Sequence, residues 1–285
     1  MLPYEPSATA WNVLRRKEGP PIVIASTRDT SASSGSQPRL SRDHLPLSEV
    51  AFLLDFDGTL VDIAPTPESI VVPPGLKETL LRLRAACGDA LAVITGRPVP
   101  QIDEFLGDVP FAVAGEHGIA IRHRPGGPIE RAALPPVPGE WLREAQDLVA
   151  SLPGTRLERK VGGFVLHYRA APESGTTLRK AAEAWVAPTN GLFHVQAAKM
   201  AWEIRPAGVD KGYAVRLLME NAPFAGRRPV FVGDDVTDED GVKAAVSLGG
   251  LGLRIPADFP TPATFRAWLA SLVPATGDAA PAGGA

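Results

Sequence analysis

The chain is poor in the residues that would staple it or hold it in a membrane. Its 285 residues include one cysteine, Cys87, which excludes an intramolecular disulfide and a cysteine metal cluster. Cys87 lies in the helical run LLRLRAACGD, so core packing is its expected role. No apolar stretch approaches the ~20 residues that a membrane-spanning helix needs, and residues 1–43 lack the charged-then-apolar order of a signal peptide. Arg15-Arg16 leads into Lys17-Glu18-Gly19-Pro20-Pro21 instead of an apolar run, which argues against twin-arginine export. A cytoplasmic protein without a membrane partner is the expectation. Basic residues are in no excess either: 29 Lys and Arg against 32 Asp and Glu give a net charge of −3. That balance offers no electrostatic footprint for nucleic acid.

What is present suffices for a sizeable core plus a smaller second unit, since 45% of the residues are hydrophobic. Composition sets the boundaries. Residues 1–45 are rich in Ser, Pro, Thr and charge and read as a disordered extension, and 275–285 as a loose Gly/Ala/Pro tail. Between them, 46–120 and 206–274 read as one core domain, and 121–205 as an α+β insert.

The most informative stretch is LLDFDGTLVD, Leu53 to Asp62. Val50 to Leu54 read as a buried parallel strand, which puts Asp55 and Asp57 at the carboxyl edge of an open α/β sheet, where such folds bind ligands. An ionised aspartate there can attack phosphorus and form an acyl phosphate that water hydrolyses, which makes Asp55 the candidate nucleophile. Asp57, on the same turn, can protonate the leaving oxygen and later take a proton from water. A second short strand, LAVIT, runs into Thr95-Gly96-Arg97. Lys211 opens the helical run KGYAVRLLMENA, although the macrodipole disfavours a lysine in a first helical turn. A third strand, PVFVG, ends in Asp234, Asp235, Thr237, Asp238 and Glu239, a crowd of acids that repel one another unless a cation or lysine sits among them.

In this order, DxDGT, the TGR strand end, the lysine and the acidic loop resemble the motifs of the haloacid dehalogenase superfamily. The resemblance implies a Rossmann-like parallel-sheet core with an inserted α+β cap, Thr95, Gly96 and Arg97 as phosphate-binding residues, and Lys211 as a charge beside nucleophile and phosphate. Asp55, the Asp57 carbonyl and Asp234 supply hard oxygen ligands suited to Mg²⁺. Asp235 is expected to hold Lys211, and Asp238 a metal-bound water.

More than a hundred residues separate Arg97 from Lys211. Phe111 to Ala114 continue the core sheet into GEHG, and 119–131 read as a hairpin around Pro125-Gly126-Gly127. Beyond it, 141–152 and 177–186 have helical spacing, whereas 155–161, 163–169, 193–197 and 199–205 alternate as strands. An antiparallel sheet with two helices on one face follows. Alternation points Met200, Trp202 and Ile204 one way, and Lys199, Glu203 and Arg205 the other. It also groups Glu158 with Lys160 and His167 with Arg169, a mixed-charge face suited to a hydroxyl-rich ligand. Trp202 is assigned to packing, as are Trp185 and Trp268.

With LERKVGGFVLHYR, GEHG, WEIRPAGVDKG and APFAGRRPVFVGDDVTDEDG, the chain resembles the bacterial trehalose-6-phosphate phosphatases over nearly all of 50–270. This implies Mg²⁺-dependent hydrolysis of trehalose 6-phosphate, with Glu116, His117, Lys160, Glu203 and Arg205 gripping the sugar; a monomer is the expectation. Other capped sugar-phosphate phosphatases, acting on sucrose 6-phosphate or a glycosyl phosphoglycerate, share the same core residues. A phosphomutase or a binding-only regulator are further readings; Asp55, Asp57, Lys211 and Asp234, all retained, argue against the regulator. Cap closure is expected to hinge near 118–126 and 205–210.

Overall fold

A computed structural model of the chain describes residues 45–273. The expected N-terminal extension, apart from Leu45, and the tail from 275 lie outside the described residues, as do Trp11 and His44. Strand β1 (Val50–Leu54) is buried along its whole length, as an apolar run without alternation requires when both faces of a sheet are covered. It leads through α1 (Leu76–Ala86), β2 (Leu91–Ile94), α2 (Val99–Leu106) and β3 (Ala112–Gly115) to a hairpin of β4 (Ala120–Arg122) and β5 (Ile129–Arg131). The insert follows as α3 (Gly139–Ser151), β6 (Arg156–Lys160), β7 (Gly163–His167), α4 (Gly175–Val186), β8 (Phe193–Ala198) and β9 (Ala201–Pro206). The chain then returns through α5 (Lys211–Met219), β10 (Arg228–Gly233), α6 (Glu239–Ser247), β11 (Leu251–Arg254) and α7 (Pro262–Leu272).

The main sheet has the order β11-β10-β1-β2-β3-β4-β5. Its first five strands are parallel and the hairpin is antiparallel. Register decides where the chemistry sits: Leu54 lies opposite both Val232 of β10 and Val93 of β2. The three strands therefore end level, and Asp55, Thr95 and Asp234 step off one edge together. Cys87 is fully buried, as its sequence setting implied, and burial pushes its thiol up to about 11.

The expected domain boundary at 121 needs correction. β4 hydrogen-bonds to β3, and Ala120 and Ile121 pack into the main core, so the hairpin extends the core sheet. The insert's own elements begin at Gly139, after a link over 132–138 that carries Pro135, Pro136 and Pro138. The 118–126 segment, expected as a hinge, contains β4 and is held in the sheet.

The insert's sheet, ordered β6-β7-β9-β8, is antiparallel throughout. Trp141 of α3 and Leu178 of α4 pack with Phe164, Leu166, Phe193 and Ile204 on one face of it. Phe164 and Leu166 are fully buried, and each contributes roughly 1.5–3 kcal/mol by leaving water. Trp202 joins this side: its indole stacks on Tyr168 with centroids 6.1 Å apart and its Nε1 donates to the Gly175 carbonyl at 2.8 Å. Met200 has φ of 58° in the β8–β9 turn, so β9 starts at Ala201 instead of 199.

Candidate active site

Asp55 follows β1 with its amide tied to the Val232 carbonyl at 2.9 Å, which aims its buried carboxylate along the sheet edge. Oδ1 accepts from Lys211 Nζ at 2.7 Å and Oδ2 from the Thr59 hydroxyl at 3.2 Å. The turn after Asp57 passes so close to the acidic loop that a Cβ on Gly58, at φ of 75°, would lie 2.2 Å from Asp234 Oδ2. Only glycine fits both that conformation and that contact.

Lys211 is the first residue of α5, and the Asp210 side chain caps the helix by accepting from the Tyr213 amide at 2.7 Å. Its ammonium sits at the wrong end of the macrodipole and is only 3% exposed, so two carboxylates must hold it. They are Asp55 and Asp238, the latter at 2.6 Å. Burial opposes the charge, but these two outweigh it and hold the ammonium's pKa above its ordinary value. Burial likewise pushes the Asp55 carboxyl well above the usual range, with Lys211 opposing and Asp238 and Asp234 adding to it. Asp234 rises to about 6, through burial first and then its acidic neighbours Asp238 and Asp235.

Carboxylate oxygens of Asp55, Asp234 and Asp238 lie within 4.8 Å of one another. One ammonium among three acids leaves an excess of negative charge. A hard divalent cation fits both that excess and the all-oxygen donor set. Within the cluster the roles differ from those read off the sequence. Asp238, not Asp235, holds Lys211, and its other oxygen accepts from the Asp234 and Asp235 amides at 3.1 and 3.0 Å. Asp238 thus anchors the loop through both of its oxygens. Asp235 caps the following turn through the Val236 amide at 2.6 Å. The Asp57 carboxylate faces Arg97, which donates Nε to Oδ2 at 2.6 Å and Nη2 to Oδ1 at 2.8 Å.

Thr95 is fully buried and its hydroxyl accepts from the Arg97 amide at 3.1 Å. It does not cap α2, whose N-cap position is Pro98. The GEHG loop packs against this turn: the Glu116 amide donates to the Arg97 carbonyl and the His117 amide to the Thr95 carbonyl, each at 3.0 Å. Both residues are left-handed, with φ of 53° and 57°. Such strain persists only where surroundings over-determine it, and it clusters at functional sites. Glu116 is gripped by Arg131 of β5 at 2.8 and 3.0 Å. His117 Nδ1 is buried without a hydrogen-bond partner among the described residues. Burial, with the positive charge of Lys211, Arg205 and Lys160, lowers the imidazole to about 3, so it is neutral at physiological pH.

Asp55, Thr95, Gly96 and His117 share a cleft of about 730 Å³ with Gln196, Lys199 and Glu203 of the insert. A second part of the cleft, about 490 Å³, lies between Glu116 and His117 on one side and Glu158, Lys160, His167 and Arg205 on the other. The face sorting read from alternation is therefore observed. Glu158 contacts Lys160 Nζ and, at 2.7 Å, His167 Nε2. Burial works against the charge on Glu158, but these partners pull its carboxyl below the ordinary value. Glu203 moves the other way, raised by burial with Arg205 and Lys160 opposing. Arg205 reaches Gln196 Oε1 at 2.8 Å and the Val209 carbonyl at 2.7 Å, tying β9 to the second linker.

Three residues of this arrangement were not singled out from sequence. Asp210 was findable as an acidic N-cap just before a helical run. Arg131 and Gln196 were not, because their partners Glu116 and Arg205 meet them only through strand pairing.

Residues 53–258 match the family model described as trehalose-phosphatase. The chain is similar to a probable trehalose-phosphate phosphatase of Sinorhizobium fredii, 38% identical over 81% of this chain and 89% of the relative. It is also similar to the trehalose-6-phosphate phosphatase of Escherichia coli, 36% identical over 80% of this chain and 84% of that one. Among solved structures, trehalose-6-phosphate phosphatase of Aspergillus fumigatus superposes with a TM-score of 0.61 at 27% identity, over 83% of this chain and 98% of that one. The match runs through core and insert alike: the chain belongs to the trehalose-phosphatase family and is a phosphatase.

Proposed function

We propose that this chain hydrolyses trehalose 6-phosphate to trehalose and phosphate, the closing step of trehalose biosynthesis. One observation carries the reading: a buried Asp55–Lys211 pair at the sheet edge opens into the same cleft as the polar face of the insert. The Sinorhizobium and Escherichia relatives, named for the same activity, support it.

An Asp55 oxygen attacks phosphorus, the bond to the sugar oxygen breaks, and Asp57 gives that oxygen a proton. Water then attacks the aspartyl phosphate and returns a proton to Asp57, releasing phosphate and restoring Asp55. Thr95 and the Gly96 amide hold phosphate oxygens, and Lys211 neutralises charge beside them. Asp55 and Asp234 would hold Mg²⁺, which when bound would supply positive charge against the repulsion between the anionic nucleophile and the anionic phosphate. Glu116, His117, Lys160, Glu203 and Arg205 form the sugar-binding wall, with donors and acceptors of both kinds for a disaccharide's hydroxyls. The protein acts as a cytoplasmic monomer.

Phosphate release with Mg²⁺ from trehalose 6-phosphate, glucose 6-phosphate, sucrose 6-phosphate and glucosyl-3-phosphoglycerate tests the reading. A strong preference for the first is expected. Preference for another would keep the core chemistry and overturn the cap assignment, and silence on all four would overturn both.

A further inference from the structure

Arg97 was expected to bind phosphate, yet its surroundings direct it elsewhere. Its guanidinium meets the Asp57 carboxylate edge-on through two parallel bonds of 2.6 and 2.8 Å, the geometry that fixes a carboxylate's plane as well as its position. The arginine is itself immobilised. Its guanidinium carbon lies 5.3 Å from the Phe105 ring centroid and 5.9 Å from that of Phe56, and these rings stack 5.5 Å apart. Nη1 donates to Gln101 Oε1 at 3.2 Å. At the main chain, its amide is tied to the Thr95 hydroxyl and its carbonyl to the Glu116 amide. The side chain is 10% exposed, and the cleft beside Asp55 is lined by Asp57, Thr95 and Gly96, with Arg97 behind Asp57.

We infer that Arg97 is the positioning residue for the proton-transferring Asp57, and not a phosphate ligand. The inference rests on the proposed roles of Asp55 and Asp57. Two bonded edges leave each Asp57 oxygen a free lone pair for the reacting oxygen. Packing beside the two stacked rings keeps the guanidinium from following the phosphate. When Asp57 gives its proton to the leaving sugar oxygen, the guanidinium stabilises the carboxylate that remains; when Asp57 takes a proton from water, the same clamp holds it in line. The TGR loop thereby serves both parts of the reaction: Thr95 and Gly96 face phosphate, and Arg97 faces the acid–base group.

The test is a double-mutant cycle of Arg97→Gln and Asp57→Asn in the full chain with Mg²⁺, assayed on trehalose 6-phosphate and p-nitrophenyl phosphate, with inorganic phosphate binding measured by calorimetry. Arg97→Gln should lower kcat on trehalose 6-phosphate about 10- to 100-fold, the range for lost outer-shell partners. KM and phosphate affinity should change less than about threefold, and the loss should vanish in the Asp57→Asn background. Arg97→Lys, which keeps the charge but not the fork, should fall between. Weakened phosphate binding at unchanged kcat, or equal losses with and without Asp57, would overturn the inference. Phosphate binding needs no turnover, so it judges Arg97 even if trehalose 6-phosphate proves not to be the substrate; a wild type silent on that ester but active on the aryl ester would instead count against the substrate assignment alone.

Discussion

Lys211 Nζ donates to Asp55 Oδ1 at 2.7 Å, joining the start of α5 to the end of β1 across 156 residues of chain. Side-chain exposures of 4% and 5% put this pair out of reach of solvent screening. Its electrostatics therefore govern both stability and reactivity.

Removing the lysine should damage both. Lys211→Met leaves the Asp55 and Asp238 carboxylates buried and uncompensated, a loss of about 3–5 kcal/mol at pH 7. Urea denaturation should record that loss, and adding Asp55→Asn to Lys211→Met should recover part of it. A variant as stable as the wild type would show that the carboxylates find other compensation.

Asp55→Asn should abolish phosphate release while Mg²⁺-dependent binding of trehalose 6-phosphate, followed by calorimetry, persists. The amide keeps the side chain's shape but cannot form the acyl phosphate. Turnover above a hundredth of wild type would remove Asp55 as nucleophile.

Metal and protons should compete at Asp234. Its folded pKa of about 6 lies above the unfolded value of 3.8. In EDTA the group therefore contributes stability that is complete below about pH 4 and lost as pH rises through 6. Added Mg²⁺ favours the ionised form, so its stabilising effect should grow over that interval and level off above it. At a hundred times its Kd, Mg²⁺ adds about 2.7 kcal/mol. Melting temperatures from pH 4 to 8, with EDTA or with Mg²⁺, check the sign; a metal effect flat in pH would detach Asp234 from the site.

Glu203 lies on the insert's cleft face. Glu203→Ala should lower kcat/KM for trehalose 6-phosphate far more than for p-nitrophenyl phosphate, as expected of a group that binds the non-reacting part of a substrate. Equal losses on both would assign Glu203 to the chemistry or to the fold.

Much of the fold was legible in the sequence because the signals are local. β1 is an unbroken apolar run, so its limits at Val50 and Leu54 follow from burial on both faces. Alternation around Trp202 and Ile204 sorted one face of the insert's sheet from the other, since the side-chain period of a strand leaves no choice. The boundary at 121 failed for the opposite reason. Ile121 and Arg122 read as strand in either domain, and only pairing with Ala114 and Val113 decides which sheet they join.

The sequence by itself determined the inventory of the site: which carboxylates, which lysine, which strand ends, and in what order. Motif chemistry depends on residue type and short spacing, and both are written in one dimension. Who touches whom was left to the tertiary structure. The sequence reading gives Lys211 to Asp235, but the turn after β10 aims Asp238 at Nζ while Asp235 caps its own turn. Arg97 follows Thr95 and Gly96 in sequence, yet packing against Phe56 and Phe105 turns it onto Asp57. Neither choice is encoded locally. Each depends on where a distant strand or ring puts its atoms, to within the few tenths of an ångström that separate a hydrogen bond from a near miss.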